Sequence, residues 1–159
     1  MLFSTLSGCI KNDGPDESMS FEFTLIDGST KNINEYRGKI VLIDFFGVYC
    51  KPCQYQMIVL KEIYDEYKSN EFEIISIDAW ISLGETTDLI EQFLSDAEEQ
   101  GLSFNWIFGA DDESGTLYDK YANEGVPMLY LLDRNGNIYY TKAGYTEYSV
   151  LVDKIEELI

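Results

Sequence analysis

The chain has 159 residues, 45% of them hydrophobic and 14% aromatic, enough for one domain with a substantial core and too few for two. Its 11 basic and 29 acidic residues leave a net charge of −18, which repels nucleic acid and anionic membrane surfaces and otherwise serves solubility or adaptation to salt. No histidine occurs, so histidine bases, histidine metal ligands and the Ser-His-Asp and Cys-His arrangements are excluded, and catalysis must run on Cys, Asp, Glu, Lys or Tyr.

The first segment reads MLFSTLSGCIKNDGPDESM. Leu6-Ser7-Gly8-Cys9 is similar to the lipobox of secreted lipoproteins, in which a small residue precedes the cysteine that receives the lipid. A full leader carries a basic front end and roughly 7–15 apolar residues, whereas here only Leu2, Phe3 and Leu6 are apolar and no Lys or Arg comes first. Residues 1–19 are therefore expected to be a truncated leader or a lipoprotein-type tether with Cys9 as the lipidation candidate, unless the match is accidental. A lipid on Cys9 would place the domain outside the cytoplasm and would be its sole membrane contact; an accidental match leaves it in the cytoplasm. The Asn, Asp, Gly, Pro, Glu and Ser between positions 12 and 18 suit a solvated tether. No stretch approaches the ~20 apolar residues of a membrane span.

From Ser20 the pattern becomes regular, and 20–159 is expected to form a single domain. Phe21, Phe23 and Leu25 alternate as in a strand, ending at the turn residues Asp27-Gly28. The runs IVLIDFF (40–46) and FEIISIDAW (72–80) are the continuous apolar kind that fits strands buried on both faces. Between them Cys53, Met57, Leu60, Tyr64 and Tyr67 recur at steps of four and three, one face of a helix. A second helix follows, with Ile90, Phe93, Leu94 and Ala97 on one face and Gly101 at its stop. FNWIFGAD reads as a short strand and ESGTLYDKYAN as a short helix. PMLYLLD and NIYYTKAG flank Arg134-Asn135-Gly136, a hairpin signal, and a last helix places Tyr148, Leu151, Ile155 and Leu158 on one face. The order β-β-α-β-α-β-α-β-β-α implies an α/β domain with a central mixed sheet flanked by helices.

The chemistry concentrates in GVYCKPCQ (47–54), after a central strand and at the start of a helix. Cys50 falls at the helix N-terminus, where free N–H groups and the helix dipole stabilise a thiolate. Lys51 adds positive charge. Pro52 fits the first turn, where its missing N–H breaks no helical bond, and stiffens the spacing between the sulfurs. Cys53 lies three residues on, turned inward, so the pair offers an attacking and a resolving thiol. Three cysteines with no histidine cannot complete a four-ligand zinc site of the usual kind, and neither a metal nor an organic cofactor is expected.

In these residues the chain resembles the thioredoxin-like superfamily and, within it, the TlpA/ResA-type thiol-disulfide oxidoreductases. The resemblance covers residues 20–159 and rests on FTLIDGSTKNINEYRGKIVLIDFFGVYCKPC and GVPMLYLLDRNGNI. It implies a thioredoxin-like fold with an N-terminal β-hairpin and a central insertion helix. It further implies that Cys50 and Cys53 form a redox-active disulfide, and that Pro127 is a cis-proline packing against it, with the Val126 backbone facing an extended substrate. Tyr49, Lys51, Pro52 and Gly144 would border the same groove. Three positions depart from or vary the pattern. Tyr49 stands where a tryptophan is usual. Gln56 stands where many TlpA-type proteins carry a glutamate, and it cannot exchange protons. Asp44 matches the buried aspartate of thioredoxin, a proton acceptor for Cys53, but Ile74 stands near the place of the lysine that often accompanies it.

The function so implied is two-electron exchange between the Cys50-Cys53 pair and protein dithiols or disulfides, chiefly as a reductase, with an upstream thiol reductant or oxidant as second partner and the protein a monomer. Two alternatives stand beside it: a binding or scaffold module with a structural disulfide, and a peroxiredoxin-like peroxidase. The latter expects Thr or Ser three residues before the attacking cysteine, where Gly47 stands. Tyr64, Tyr67, Trp80, Phe93 and Trp106 read as core or rim packing, and Asp111-Asp112-Glu113 as a solvated helix start.

Overall fold

The structure is a computed structural model and describes residues 18–159. Among these residues seven strands form one mixed sheet: β1 (Glu22–Leu25), β2 (Thr30–Asn32), β3 (Ile40–Phe46), β4 (Phe72–Asp78), β5 (Ile107–Ala110), β6 (Met128–Leu132) and β7 (Ile138–Ala143). Their spatial order is β2-β1-β5-β4-β3-β6-β7. Three helices, α1 (Lys51–Tyr67), α2 (Thr87–Glu99) and α3 (Tyr148–Glu156), connect or follow them. The β3-α1-β4 unit is parallel, as its helical crossover requires, while β6 runs antiparallel to β3 and continues into the β6-β7 hairpin. The turn after β1 returns the chain as β2, which completes the N-terminal hairpin.

Every residue of β3 is buried, because its two faces serve two core layers. Ile40, Leu42 and Phe46 pack with Met57, Leu60 and Ile63 of α1 and with Leu151 and Ile155 of α3. Val41, Ile43 and Phe45 face the opposite layer with Met19, Phe21, Phe23 and Leu117. Each such side chain contributes about 1.5–3 kcal/mol by leaving water, which fixes the strand in the middle of the sheet and α1 across one face. α2 adds Ile90 to the same layer.

Four details differ from the sequence expectation. Packing begins before Ser20: Ser18 bridges to Asn137, and Met19 is buried with its N–H on the Gly136 carbonyl at 3.1 Å. Cys9 and the segment up to position 17 lie outside the described residues. The strand expected from FNWIFGAD is confined to Ile107–Ala110, and the short helix expected in ESGTLYDKYAN forms but takes π geometry over Tyr118–Ala122. Asp111 is not a solvated residue. It is buried, and its carboxylate accepts the N–H groups of Asp112, Leu117 and Tyr118, tying the start of that helix to the end of β5.

Candidate active site

Cys50 is the N-cap of α1, and Cys53 occupies its first turn. The two are joined by a disulfide with Cα atoms 5.2 Å apart. Cys50 Sγ also accepts the Cys53 N–H at 3.2 Å, so one of the free amides of the helix start points at the sulfur. Cys50 keeps 5% exposure and Cys53 none, the inward turn expected of the second cysteine. Lys51 and Pro52 are exposed on the first turn, and Tyr49 stands out into solvent at 71%.

The Val126–Pro127 peptide is cis, and the Val126 carbonyl oxygen lies 3.7 Å from Cys50 Sγ. Pro127 precedes β6, which is bonded to β3. Gly144, at φ +86°, donates its N–H to the Pro127 carbonyl at 2.8 Å. A side chain at that φ would be strained, so glycine allows the chain to bend away while still holding the proline loop. The structure thus brings Cys50, Cys53, Val126, Pro127 and Gly144 to one end of the sheet.

Asp44 lies within β3, on the strand face that carries Ile40, Leu42 and Phe46 towards α1, and it is fully buried. Its Oδ2 accepts the Ser76 hydroxyl at 3.1 Å, and the Trp106 indole N–H donates to Ser76 Oγ at 3.0 Å. Its Oδ1 has no partner among the described residues. Burial pushes the Asp44 carboxyl up to about 7, against a smaller opposing pull from the Ser76 hydrogen bond. Ser76 sits directly opposite Asp44 on β4. Trp106, expected only to pack, stacks on Phe108 and also supplies the outer donor of this chain.

Gln56 is fully buried one turn beyond Cys53. Its Oε1 accepts the Thr146 N–H at 2.7 Å and its Nε2 donates to the Thr146 carbonyl at 3.2 Å. A carboxylate could make only the first of these bonds, which is the physical reason an amide fits here. Gly47, the position that a peroxidatic Thr or Ser would occupy, lies against the face of Trp80, and a Cβ built there would overlap the indole. Sequence reasoning missed Ser76, Gln56 as a structural contact, and Glu85, whose carboxylate accepts the N–H groups of Val48 and Tyr49. Nothing local marks Glu85, which lies more than 35 residues from the amides it binds. No cluster of metal-ligating side chains occurs among the described residues.

A dithiol pair at a helix start, on a strand-helix-strand unit of a sheet in this order, is the arrangement of the thioredoxin class. The family model described as thioredoxin-like matches residues 38–138, from the turn before β3 to the first residue of β7, and the chain belongs to that family. Among curated proteins it is similar to the thiol-disulfide oxidoreductase ResA of Geobacillus kaustophilus, 31% identical over 74% of this chain and 62% of that one. The ResA of Halalkalibacterium halodurans is 28% identical over 91% and 76%. The chain thus spans about three fifths of the length of the Geobacillus relative. Among solved structures, a protein of Bacteroides thetaiotaomicron provisionally named a protein disulfide isomerase superposes with TM-score 0.73 at 28% identity, covering 90% of this chain and 87% of that one. StoA from Bacillus subtilis superposes with TM-score 0.67 at 21% identity, covering 89% and 99%.

Proposed function

We propose that the protein is a thiol-disulfide oxidoreductase that passes two electrons between the Cys50-Cys53 pair and protein clients, chiefly as a reductase. The observation that carries this reading is the disulfide at the start of α1, with the Val126 carbonyl of the cis-proline loop beside Cys50. In the reduced protein the Cys50 thiolate attacks a client disulfide. One client sulfur leaves as a thiolate that takes up a proton, and Cys50 is left in a mixed disulfide. Cys53 then loses its proton and attacks Cys50 Sγ. The second client sulfur leaves as a thiolate that takes up a proton, and the Cys50-Cys53 disulfide closes. Two electrons have moved from the protein to the client. An upstream dithiol of another protein restores the reduced state.

Asp44 is the acceptor for the Cys53 proton in this reading. It lies on the α1-facing side of β3, and a carboxyl titrating at about 7 has both forms available at neutral pH. Tyr49 supplies a flat exposed flank for the client, and the Val126 backbone and Gly144 border the groove, with Lys51 and Pro52 on the helix side. The peroxidase reading loses its hydroxyl side chain at position 47, where Trp80 leaves no room for one. We assign the domain to an extracytoplasmic compartment, with the residues ahead of Ser18 as leader or tether and Cys9 as a lipid site. The similarity of residues 6–9 to a lipobox and the ResA relatives support this. No helix among the described residues is long and apolar enough to cross a membrane.

The test is reduction of insulin disulfides by the protein with dithiothreitol, run beside hydrogen peroxide consumption. Wild type should accelerate the first and not the second, and Cys50→Ser should abolish the acceleration. A wild type no faster than dithiothreitol alone would make the disulfide a structural staple.

A further inference from the structure

Two buried carboxyls play no part in the exchange just described. Glu85 is 6% exposed and Asp78 is fully buried, and neither belongs to an ion pair among the described residues. Glu85 Oε2 accepts the Val48 N–H at 2.7 Å, and its Oε1 accepts the Tyr49 N–H at 3.0 Å. Both oxygens are thus committed to consecutive amides of the segment that leads into Cys50. The loop carrying Glu85 is itself held, since the Glu85 N–H donates to the Trp80 carbonyl at 3.2 Å and Gly84 makes the turn at φ +107°.

Asp78 ends β4. Its Oδ1 accepts the Trp80 N–H at 2.8 Å, while its Oδ2 has no donor among the described residues. The Asp78 carboxyl lies within hydrogen-bonding reach of that of Glu85. Two carboxylates in contact and out of water cannot both be charged at ordinary cost, so the pair holds one proton. Donors already occupy both oxygens of Glu85, whereas Asp78 has one oxygen to spare. The proton therefore belongs on Asp78, where the O–H can donate to Glu85.

We propose that protonated Asp78 and Glu85 act together as a positioning clamp on Val48 and Tyr49, which sets the approach of Cys50 and loosens when Asp78 loses its proton. Burial, and after it the neighbouring Glu85, holds the Asp78 proton well above the usual carboxylate range. The groups facing the pair act in the same direction. Asp111, at the end of β5, donates its N–H to the Asp78 carbonyl and adds its negative charge, and Asp112 follows it in the chain. Once Asp78 ionises, two like charges meet. Glu85 is then pushed from the amides it holds, and the order of residues 48–49 is lost as pH rises through the folded pKa of Asp78. The clamp is a statement about two backbone amides; only its consequence for Cys50 rests on the exchange reading.

The experiment follows the amide proton resonances of Val48 and Tyr49 with pH in wild type, Asp78→Asn and Glu85→Gln, together with the rate of Cys50 alkylation in the reduced proteins. In wild type the two resonances should shift together with one midpoint above the ordinary carboxylate range. Asp78→Asn should remove that titration and keep both amides hydrogen-bonded, since its amide still donates to Glu85. Glu85→Gln, which can accept from only one amide, should release the other and slow alkylation roughly ten-fold through misplacement of the thiolate. Resonances that do not titrate in wild type, or a titration that survives Asp78→Asn, would overturn the proposal. Should Glu85→Gln fail to fold, those two proteins decide it alone. Intact titration with no insulin reduction refutes the exchange reading and leaves the clamp; insulin reduction without titration does the reverse.

Discussion

Replacing Asp44 by Asn tests whether a proton is stored under the disulfide. The folded protein holds this carboxyl at about 7, while an unfolded chain releases the proton near ~3.9. Below the lower value both states are protonated, and Asp44 costs the fold nothing through its charge. As pH rises from about 4 to 7 the unfolded chain loses its proton and the native state keeps it, so stability falls by about 1.4 kcal/mol per pH unit, to a total near 4 kcal/mol, and is flat above. Asp44→Asn removes this dependence. Its amide keeps an acceptor for Ser76 but places an N–H₂ where Oδ1 already lacks a partner, a cost of about 1–3 kcal/mol at every pH. The oxidised variant should therefore be less stable than wild type at pH 4 and more stable by roughly 1–3 kcal/mol at pH 8. Urea denaturation of both oxidised proteins from pH 4 to 8 measures the difference. In stopped-flow, a mixed disulfide on Cys50 should resolve more slowly in the variant, with the first attack by Cys50 little changed. Parallel stability curves and equal resolution rates would show that Asp44 neither stores nor moves the proton.

Gly47→Ala places a methyl against Trp80 and should lower stability by about 1–3 kcal/mol through overpacking, read as a shift in the urea midpoint; an unchanged midpoint would mean that the indole moves freely. Gln56→Glu keeps the Thr146 N–H bond and sets a carboxylate against the Thr146 carbonyl, so it should cost about 1–3 kcal/mol at neutral pH. Because the folded pKa of that glutamate would be raised, its deficit should shrink as pH falls towards 4, where the acid can donate to the carbonyl again. A pH-independent deficit would contradict the bond assignment. In the reduced protein iodoacetamide should label Cys50 before Cys53, in keeping with their exposures of 5% and none, and mass spectrometry of early time points would expose the reverse order.

The sequence by itself settled what local pattern can settle. The continuous apolar runs of β3 and β4 around a 3.6-period helix required a buried parallel unit, and the spacing placed Cys50 at the head of that helix. Asn135-Gly136 fixed the β6-β7 hairpin, with Gly136 at φ +78°. The short β2 and the π helix at Tyr118–Ala122 were less legible, since neither has enough residues for a period to show. What surrounds the disulfide was decided by the tertiary structure. Asp44 carries its proton near neutral pH because packing removes all water from it and no cation among the described residues meets Oδ1, while the Ser76 hydroxyl opposite it on β4 opposes this only in part. Gln56 finds its partner in Thr146, 90 residues away, and Glu85 binds amides 36 and 37 residues upstream. Polar groups such as these have no periodic signature. Their partners are chosen by which strands and loops end side by side, and their charge by how much water the packing removes, and both are properties of the folded chain.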